Sequence, residues 1–378
     1  MRRLPPLGRI AYQQDHLHKN QRPRLIRGLI CLGLTFTLSG CVNDKERITR
    51  QTAAPWLARA HFATADGAIL PVHTWWPQDG KPKAIIVALH GFNDYAMAFA
   101  GPANYLKARG IGVIAYDQRG FGLSPGRGLW AGTQTYTADL AALVDQIHRR
   151  YPGVPVHVLG ESMGGAIAMA AMTEPAPPDV ASLILSAPAV WSRDMMPWYQ
   201  RAILAFTAST LPELELTGSG LKIQASDNID MLRGLGRDPW VIKSTRVDAI
   251  QGLTDLMDIA QARAGAIKIP VLVLYGEQDQ IIPKPPIDAI IRKLTAAGHP
   301  HLIIYPKGYH LLLRDLHANR PLADIVNWVL APDTRLPTSQ ETQQARIHPE
   351  PVATGKNRID PALIPLVKDK QANLDRPG

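Results

Sequence analysis

Cysteine is nearly absent: the 378 residues hold only Cys31 and Cys41. So few thiols exclude a disulfide scaffold and a multi-cysteine zinc or iron–sulfur site. A membrane-spanning run is missing as well. The apolar stretch Gly28–Leu38 has eleven residues, whereas a bilayer-spanning helix needs about 20. The formal net charge is +9, yet no aromatic-interleaved basic patch follows the first 40 residues. Residues 1–40 carry seven basic side chains and one acid, so +6 of the excess lies there and +3 in the rest. That distribution argues against a nucleic-acid partner. No internal repeat is visible. What the chain does have is 46% hydrophobic residues, ample for a large buried core and incompatible with a wholly disordered chain.

The N-terminal order is informative. A basic stretch ends at Arg27, the short apolar run follows, and small residues lead into Cys41. Basic region, short apolar region and small residues match a secretory signal peptide. Leu38-Ser39-Gly40-Cys41 resembles the bacterial lipobox. That resemblance implies acylation of the Cys41 thiol, cleavage before it, and a lipid-anchored mature N-terminus in the cell envelope. Val42, rather than Asp, follows the cysteine, and by the same resemblance this favours the outer membrane. With Cys31 removed and Cys41 acylated, no free thiol remains, which suits an oxidising periplasm. We therefore expect a leader over 1–40, a tether over 41–58, a folded domain over 59–331 and a tail over 332–378. The tail has seven prolines in 47 residues and little apolar periodicity, so we expect it to be mostly disordered.

Within 59–331, short near-continuous apolar runs predict strands at Ala84–Leu89, Gly112–Tyr116, Val156–Leu159, Leu183–Leu185, Val271–Tyr275 and Leu302–Tyr305. Strands apolar on both faces belong to a parallel sheet covered on both sides. Helical patterns separate them at Ala138–Arg149, Asp288–Leu294 and Leu322–Leu330, the first with Leu140, Leu143, Val144 and Ile147 in one stripe. The alternation predicts an α/β fold with a doubly wound, mostly parallel sheet. Phe62–Trp76, centred on Asp66-Gly67, predicts an N-terminal antiparallel hairpin. Residues 189–265 break the alternation. They read as a helical cap insertion that includes the apolar run Ala202–Leu211.

Gly160-Glu161-Ser162-Met163-Gly164-Gly165 follows the Val156–Leu159 strand and opens a small-residue helix expected over Ala166–Thr173. This is G-x-S-x-G in a strand–turn–helix setting. The sharp turn needs glycine on both sides so that backbones can approach, and it projects the serine at the C-terminal edge of the sheet. His90-Gly91-Phe92 follows another strand. Its loop can offer a backbone N–H to an oxyanion, with the residue after the nucleophile supplying the second. The predicted donors are the amides of Phe92 and Met163, and His90 is expected to shape its loop by hydrogen bonding. Asp279 follows the Val271–Tyr275 strand after a tight turn and can orient a histidine; its offset and the trailing Ile281-Ile282-Pro283 favour it over Glu277. His310 follows the last strand and is the expected general base. His299 and His301 lie at the wrong end of that strand, and without a third ligand they do not make a metal site. His148, His157 and His317 are weaker candidates by position.

The order Ser162, Asp279, His310, with His90-Gly91-Phe92, Asp117–Ser124, the 160–165 run, Ser186-Ala187-Pro188 and Gly276–Asp279, resembles the α/β-hydrolase superfamily. Within it, the sequence looks like the monoglyceride lipase and lysophospholipase-like branch over about residues 59–331. The resemblance implies an α/β-hydrolase fold with a cap lining the acyl site, and a serine esterase acting on a small lipid-like ester without metal or organic cofactor. It makes Asp117–Ser124 a structural loop, with Phe121 where a histidine is common. Glu161 stands where many relatives carry histidine, a change that bears on the acid–base surroundings of Ser162. The same triad serves an acyltransferase or peptidase. The remaining alternative is a non-catalytic, membrane-anchored binding lipoprotein.

Overall fold

The computed structural model describes residues 54–331, apart from Ser219, Leu221 and His299. The expected leader over 1–40, Cys41 with most of the expected tether, the expected tail over 332–378 and His299 therefore lie outside the described residues.

The chain begins with β1 (Trp56–Leu57), β2 (His61–Ala63) and β3 (Ile69–Trp75). β2 and β3 form the expected hairpin around Asp66-Gly67, pairing Phe62 with Leu70. β1 adds to its edge, so the last residues expected as tether already belong to the sheet. Then follow β4 (Ala84–Leu89), α1 (Ala100–Lys107), β5 (Ile111–Tyr116), α2 (Thr133–Arg150), β6 (Val156–Glu161), α3 (Met163–Ala171) and β7 (Ser182–Ser186). The insertion holds α4 (Trp198–Thr210), β8 (Glu215–Thr217), α5 (Ile229–Arg237) and β9 (Ser244–Arg246). The chain returns through α6 (Val247–Arg263), β10 (Val271–Gly276), α7 (Lys284–Ala297), β11 (Pro300–Tyr305) and α8 (Asn319–Leu330).

Nine strands of the described residues make one sheet, ordered β1-β2-β3-β5-β4-β6-β7-β10-β11. The first four pair antiparallel; β5 through β11 run parallel. All six predicted parallel strands are present, each within two residues of its expected start. Their all-apolar sequences follow from burial on both faces. Along β4, Ile85, Val87 and Leu89 enter the core under α2, α3, α6 and α7, while Ala84, Ile86 and Ala88 enter the core under α1 and α8. Alternation by one residue thus divides a single strand between two cores.

The insertion differs from expectation in two ways. It is not wholly helical: β8 and β9 form a short antiparallel ribbon. It also ends earlier. α6 buries Leu256, Met257 and Ala260 in the same core as α3, so it is the crossover helix between β7 and β10. The cap proper ends near Arg246.

Candidate active site

The parallel strands deliver their C-terminal ends to one edge, where connecting loops can carry chemistry. At the end of β6 the chain turns sharply. Ser162 adopts φ 51° and ψ −115°, a left-handed conformation rare for a side-chain-bearing residue and costing about 1–3 kcal/mol. The turn is over-determined. Ser162 N–H donates to Ser186 O at 3.0 Å, and Ser162 O accepts from Gly165, Ala166 and Ala189. Glycine is required where β6, α3 and β4 meet: a Cβ at Gly160 would stand 2.4 Å from Gly165 N, and one at Gly164 2.1 Å from Leu89 O. α3 begins at Met163, directly after the serine and three residues before its expected start. The Met163 amide is therefore a first-turn donor without an intrahelical acceptor.

The loop after β4 lies against this turn. A Cβ at Gly91 would be 3.4 Å from Ser162 Cβ. Fully buried His90 fixes the loop. Gln118 N–H donates to His90 Nε2 at 3.0 Å, so the proton sits on Nδ1, which donates to Gly91 O at 2.9 Å. Burial pulls the pKa of His90 down and keeps it neutral. The Phe92 ring packs edge-on to Phe121 at 5.6 Å, so the aromatic at 121 supports the loop. Asp117 accepts from the amides of Ala96 and Leu123, as a structural role for 117–124 requires.

β10 and β11 bring the other two candidates into contact. His310 Nδ1 lies 2.8 Å from Asp279 Oδ2, with both side chains essentially buried. Asp279 Oδ1 accepts from the amides of Ile281 and Ile282 at 2.7 and 3.0 Å. Both carboxylate oxygens are thus committed and the imidazole's orientation is set. Glu277 is exposed and makes no such approach. Among the other histidines, His157 is buried on β6 against Ser182, His301 rests edge-on to Trp328, half-buried His148 lies 2.8 Å from Asp179 O through Nε2, and His317 is exposed.

Arg314 and Asp94 were not apparent in the sequence. Arg314, on the 312–314 turn after His310, pairs through Nη1 with Asp94 Oδ2 at 2.8 Å and through Nη2 with Glu161 Oε1 at 2.7 Å. Burial pulls its pKa down, and Glu161 and Asp94 more than offset that, so it stays cationic. The signal available was Glu161 itself, since a charge buried beside the turn demands a cation. A cavity of about 470 Å³ is lined by Arg314 together with Asp94, Tyr95, Met231, Leu235 and Asp238, but not by Ser162 or His310.

The cap grips both site loops. Ser226 Oγ donates to Asp315 Oδ1 at 2.5 Å and Leu311 N–H to Ala225 O at 2.9 Å. On the other side Ile242 N–H donates to Asn93 O at 2.9 Å, and Tyr95 Oη to Asp238 Oδ2 at 2.7 Å.

This sheet order, the turn at Ser162 and the acid–histidine pair at the same edge define an α/β-hydrolase. The mixed cap of helices and a short ribbon is its insertion. The chain belongs to the serine aminopeptidase S33 family, which it matches over residues 80–317. It is 27% identical over 283 residues to a monoacylglycerol lipase of Mycolicibacterium smegmatis, covering 72% of this chain and 96% of that one. It is 27% identical over 295 residues to the monoglyceride lipase of Homo sapiens, covering 75% and 95%. Solved structures share the fold. The Paleococcus ferrophilus monoacylglycerol lipase gives a TM-score of 0.58 at 23% identity, covering 69% of this chain and 98% of that one. A soluble variant of the Saccharomyces cerevisiae monoglyceride lipase, in complex with a substrate analogue, gives 0.61 at 21%, covering 76% and 98%.

Proposed function

We propose that this chain, a carboxylic ester hydrolase by its likeness to monoacylglycerol and monoglyceride lipases, cleaves lipid-like esters such as monoacylglycerol or lysophospholipid through an acyl-enzyme on Ser162. The observation that carries this reading is the buried His310–Asp279 contact at the sheet edge that also presents a strained serine turn. Ser162 Oγ attacks the ester carbonyl while His310 Nε2 takes its proton. Asp279 holds the imidazole with Nδ1–H facing it and stabilises the imidazolium. The amides of Phe92 and Met163 receive the developing oxyanion, each such donor being worth about 3 kcal/mol. His310 then returns the proton to the leaving alcohol, and water deacylates the serine by the same route. No step calls on a metal or organic cofactor.

The cap supports a lipid-like substrate. On α4, Trp198, Ile203 and Phe206 are 72%, 61% and 66% exposed, an apolar surface of the kind that meets lipid. The relatives named as monoacylglycerol and monoglyceride lipases point the same way. The family description favours a second reading, a peptidase on the same triad, and an acyltransferase would also use it.

A fluorophosphonate probe tests the central step. The reading expects labelling of Ser162, lost in Ser162→Ala. It fails if the folded protein resists the probe and hydrolyses no p-nitrophenyl ester. A panel of acyl esters from short to long chain, lysophospholipids and aminoacyl amides, with competing alcohols as acceptors, separates the three reactions.

We also propose an anchor. Cys41, in Leu38-Ser39-Gly40-Cys41, would carry lipid and hold the enzyme at the bacterial envelope, at the outer membrane by the preference noted for Val42. There amphiphilic esters are concentrated. Cys41→Ser should release the protein from the membrane fraction, and unchanged fractionation counts against the anchor.

A further inference from the structure

We infer that Arg314 is a positioning residue, which locks together the three segments that carry the nucleophile, the oxyanion donors and the base. The inference rests on the acyl-enzyme reading above. Asp94 is two residues beyond Phe92. Glu161 immediately precedes Ser162. Arg314 is four residues beyond His310. One guanidinium therefore joins, through two Nη atoms, backbone segments that are otherwise distant in sequence.

The chemistry of the join is specific. All three side chains are at most 10% exposed, so their attraction is little screened. The guanidinium is a rigid planar fork. It fixes the direction between its two carboxylates as well as their distance, whereas a lysine ammonium is a point charge that does not impose an angle. Glu161 also lies directly under the first loop: its Oε1 is 3.8 Å from where a Cβ on Gly91 would be. A shift of the guanidinium would reach both oxyanion donors and the serine turn.

Stability alone does not account for the trio. Burying three charges is expensive, and well-packed apolar side chains at such a place are often at least as stable. What a buried charge triad supplies and an apolar cluster does not is a single permitted relative geometry. That matters where a misplacement of about 1 Å costs about 100-fold in rate.

The test compares the wild-type chain with Arg314→Met, Arg314→Lys, Glu161→Gln and the Arg314→Met/Glu161→Gln double variant, on a soluble short-chain p-nitrophenyl ester. Each is checked for folding by circular dichroism at the assay temperature. Arg314→Met should lower kcat by 10- to 100-fold and leave KM within about threefold. Arg314→Lys should recover part of the loss. The double variant should be no worse than Arg314→Met alone, since the two changes break one join. Should Arg314→Met not fold, Arg314→Lys and Glu161→Gln carry the comparison, each with a kcat-selective loss. A kcat within twofold of wild type, a loss that only tracks the folded fraction, or strictly additive effects would overturn the inference.

Hydrogen–deuterium exchange supplies a readout independent of turnover. In Arg314→Met or Arg314→Lys, peptides spanning 91–99, 160–168 and 308–316 should lose protection together, with the remaining sheet unchanged. Unchanged exchange in those three peptides also overturns the inference. Wild-type protein that never labels at Ser162 sinks the acyl-enzyme reading instead, and the exchange result still judges the join.

Discussion

Gly276 and Gly308 face each other so closely that a Cβ on Gly276 would stand 2.4 Å from the carbonyl carbon of Gly308. Gln278 N–H donates to Gly308 O at 2.9 Å beside them. This backbone-to-backbone approach lets the loops after β10 and β11 run together until Asp279 reaches His310. Gly276→Ala must force them apart, since the obstacle is main chain that cannot swing aside. We expect a loss of about 2–3 kcal/mol in stability, with kcat falling more than tenfold in the fraction that remains folded. Urea denaturation and rates corrected for folded protein check both.

The acid partner can be separated from its competitor. Asp279→Asn keeps the shape but presents an amide to Nδ1, which favours the wrong tautomer of His310. The expected loss in kcat is on the order of 10⁴. Glu277→Gln, on an exposed side chain, should leave the rate within twofold. Steady-state kinetics on one ester, measured side by side, decide between the two carboxylates.

His157 predicts a pH dependence of stability away from the chemistry. Burial lowers its pKa from 6.5 to about 4. The unfolded chain therefore binds a proton between those values that the folded chain refuses. Stability is fully present above pH 6.5 and falls as pH drops toward 4, by up to about 3 kcal/mol from this group. His157→Gln should flatten that slope, whatever it does to absolute stability through the lost contact with Ser182. Urea midpoints from pH 7.5 to 4.5 for both proteins test it.

The exposed face of α4 should matter only when the substrate is aggregated. Phe206→Ser leaves the sheet and its edge untouched. We expect kcat/KM on a soluble short-chain ester to stay within twofold, and the rate on emulsified monoacylglycerol to drop about three- to tenfold. Equal effects on both substrates would mean that α4 acts on the site and not on the lipid surface.

Much of this architecture was legible because burial leaves a strong mark. Strands covered on both faces must be apolar throughout, and the runs at 84–89 and 271–275 show it. A sharp turn needs glycine, and Gly160 and Gly164 flank the serine. The ribbon of β8 and β9 left no such mark: Glu215, Leu216 and Thr217 are all exposed, so nothing alternates. The sequence reads α6 as part of the cap because a helical stripe reveals that a helix is buried, not what buries it. α1 offers only Pro102, Ala103 and Leu106 to the core, too few for a periodic signal. Arg314 was invisible for a different reason. Its partners, Asp94 and Glu161, are 220 and 153 positions away, and a single arginine carries no spacing to read.

The bonds from Ala225, Ser226, Asp238 and Ile242 to the loops on either side of the serine turn set a boundary on evolutionary tinkering. The exposed face of α4, with Trp198, Ile203 and Phe206, touches none of those anchor points and can be re-lettered at small cost to the machinery, whereas Pro212 and Leu214 accept from the first amides of α6 and hold the chain after α4 in place. The stretch from Ala225 to Ile242 cannot be re-lettered so freely. A graft that takes a whole cap from a relative would import the wrong anchors, whereas one confined to the exposed face of α4 would leave every one of those bonds in place.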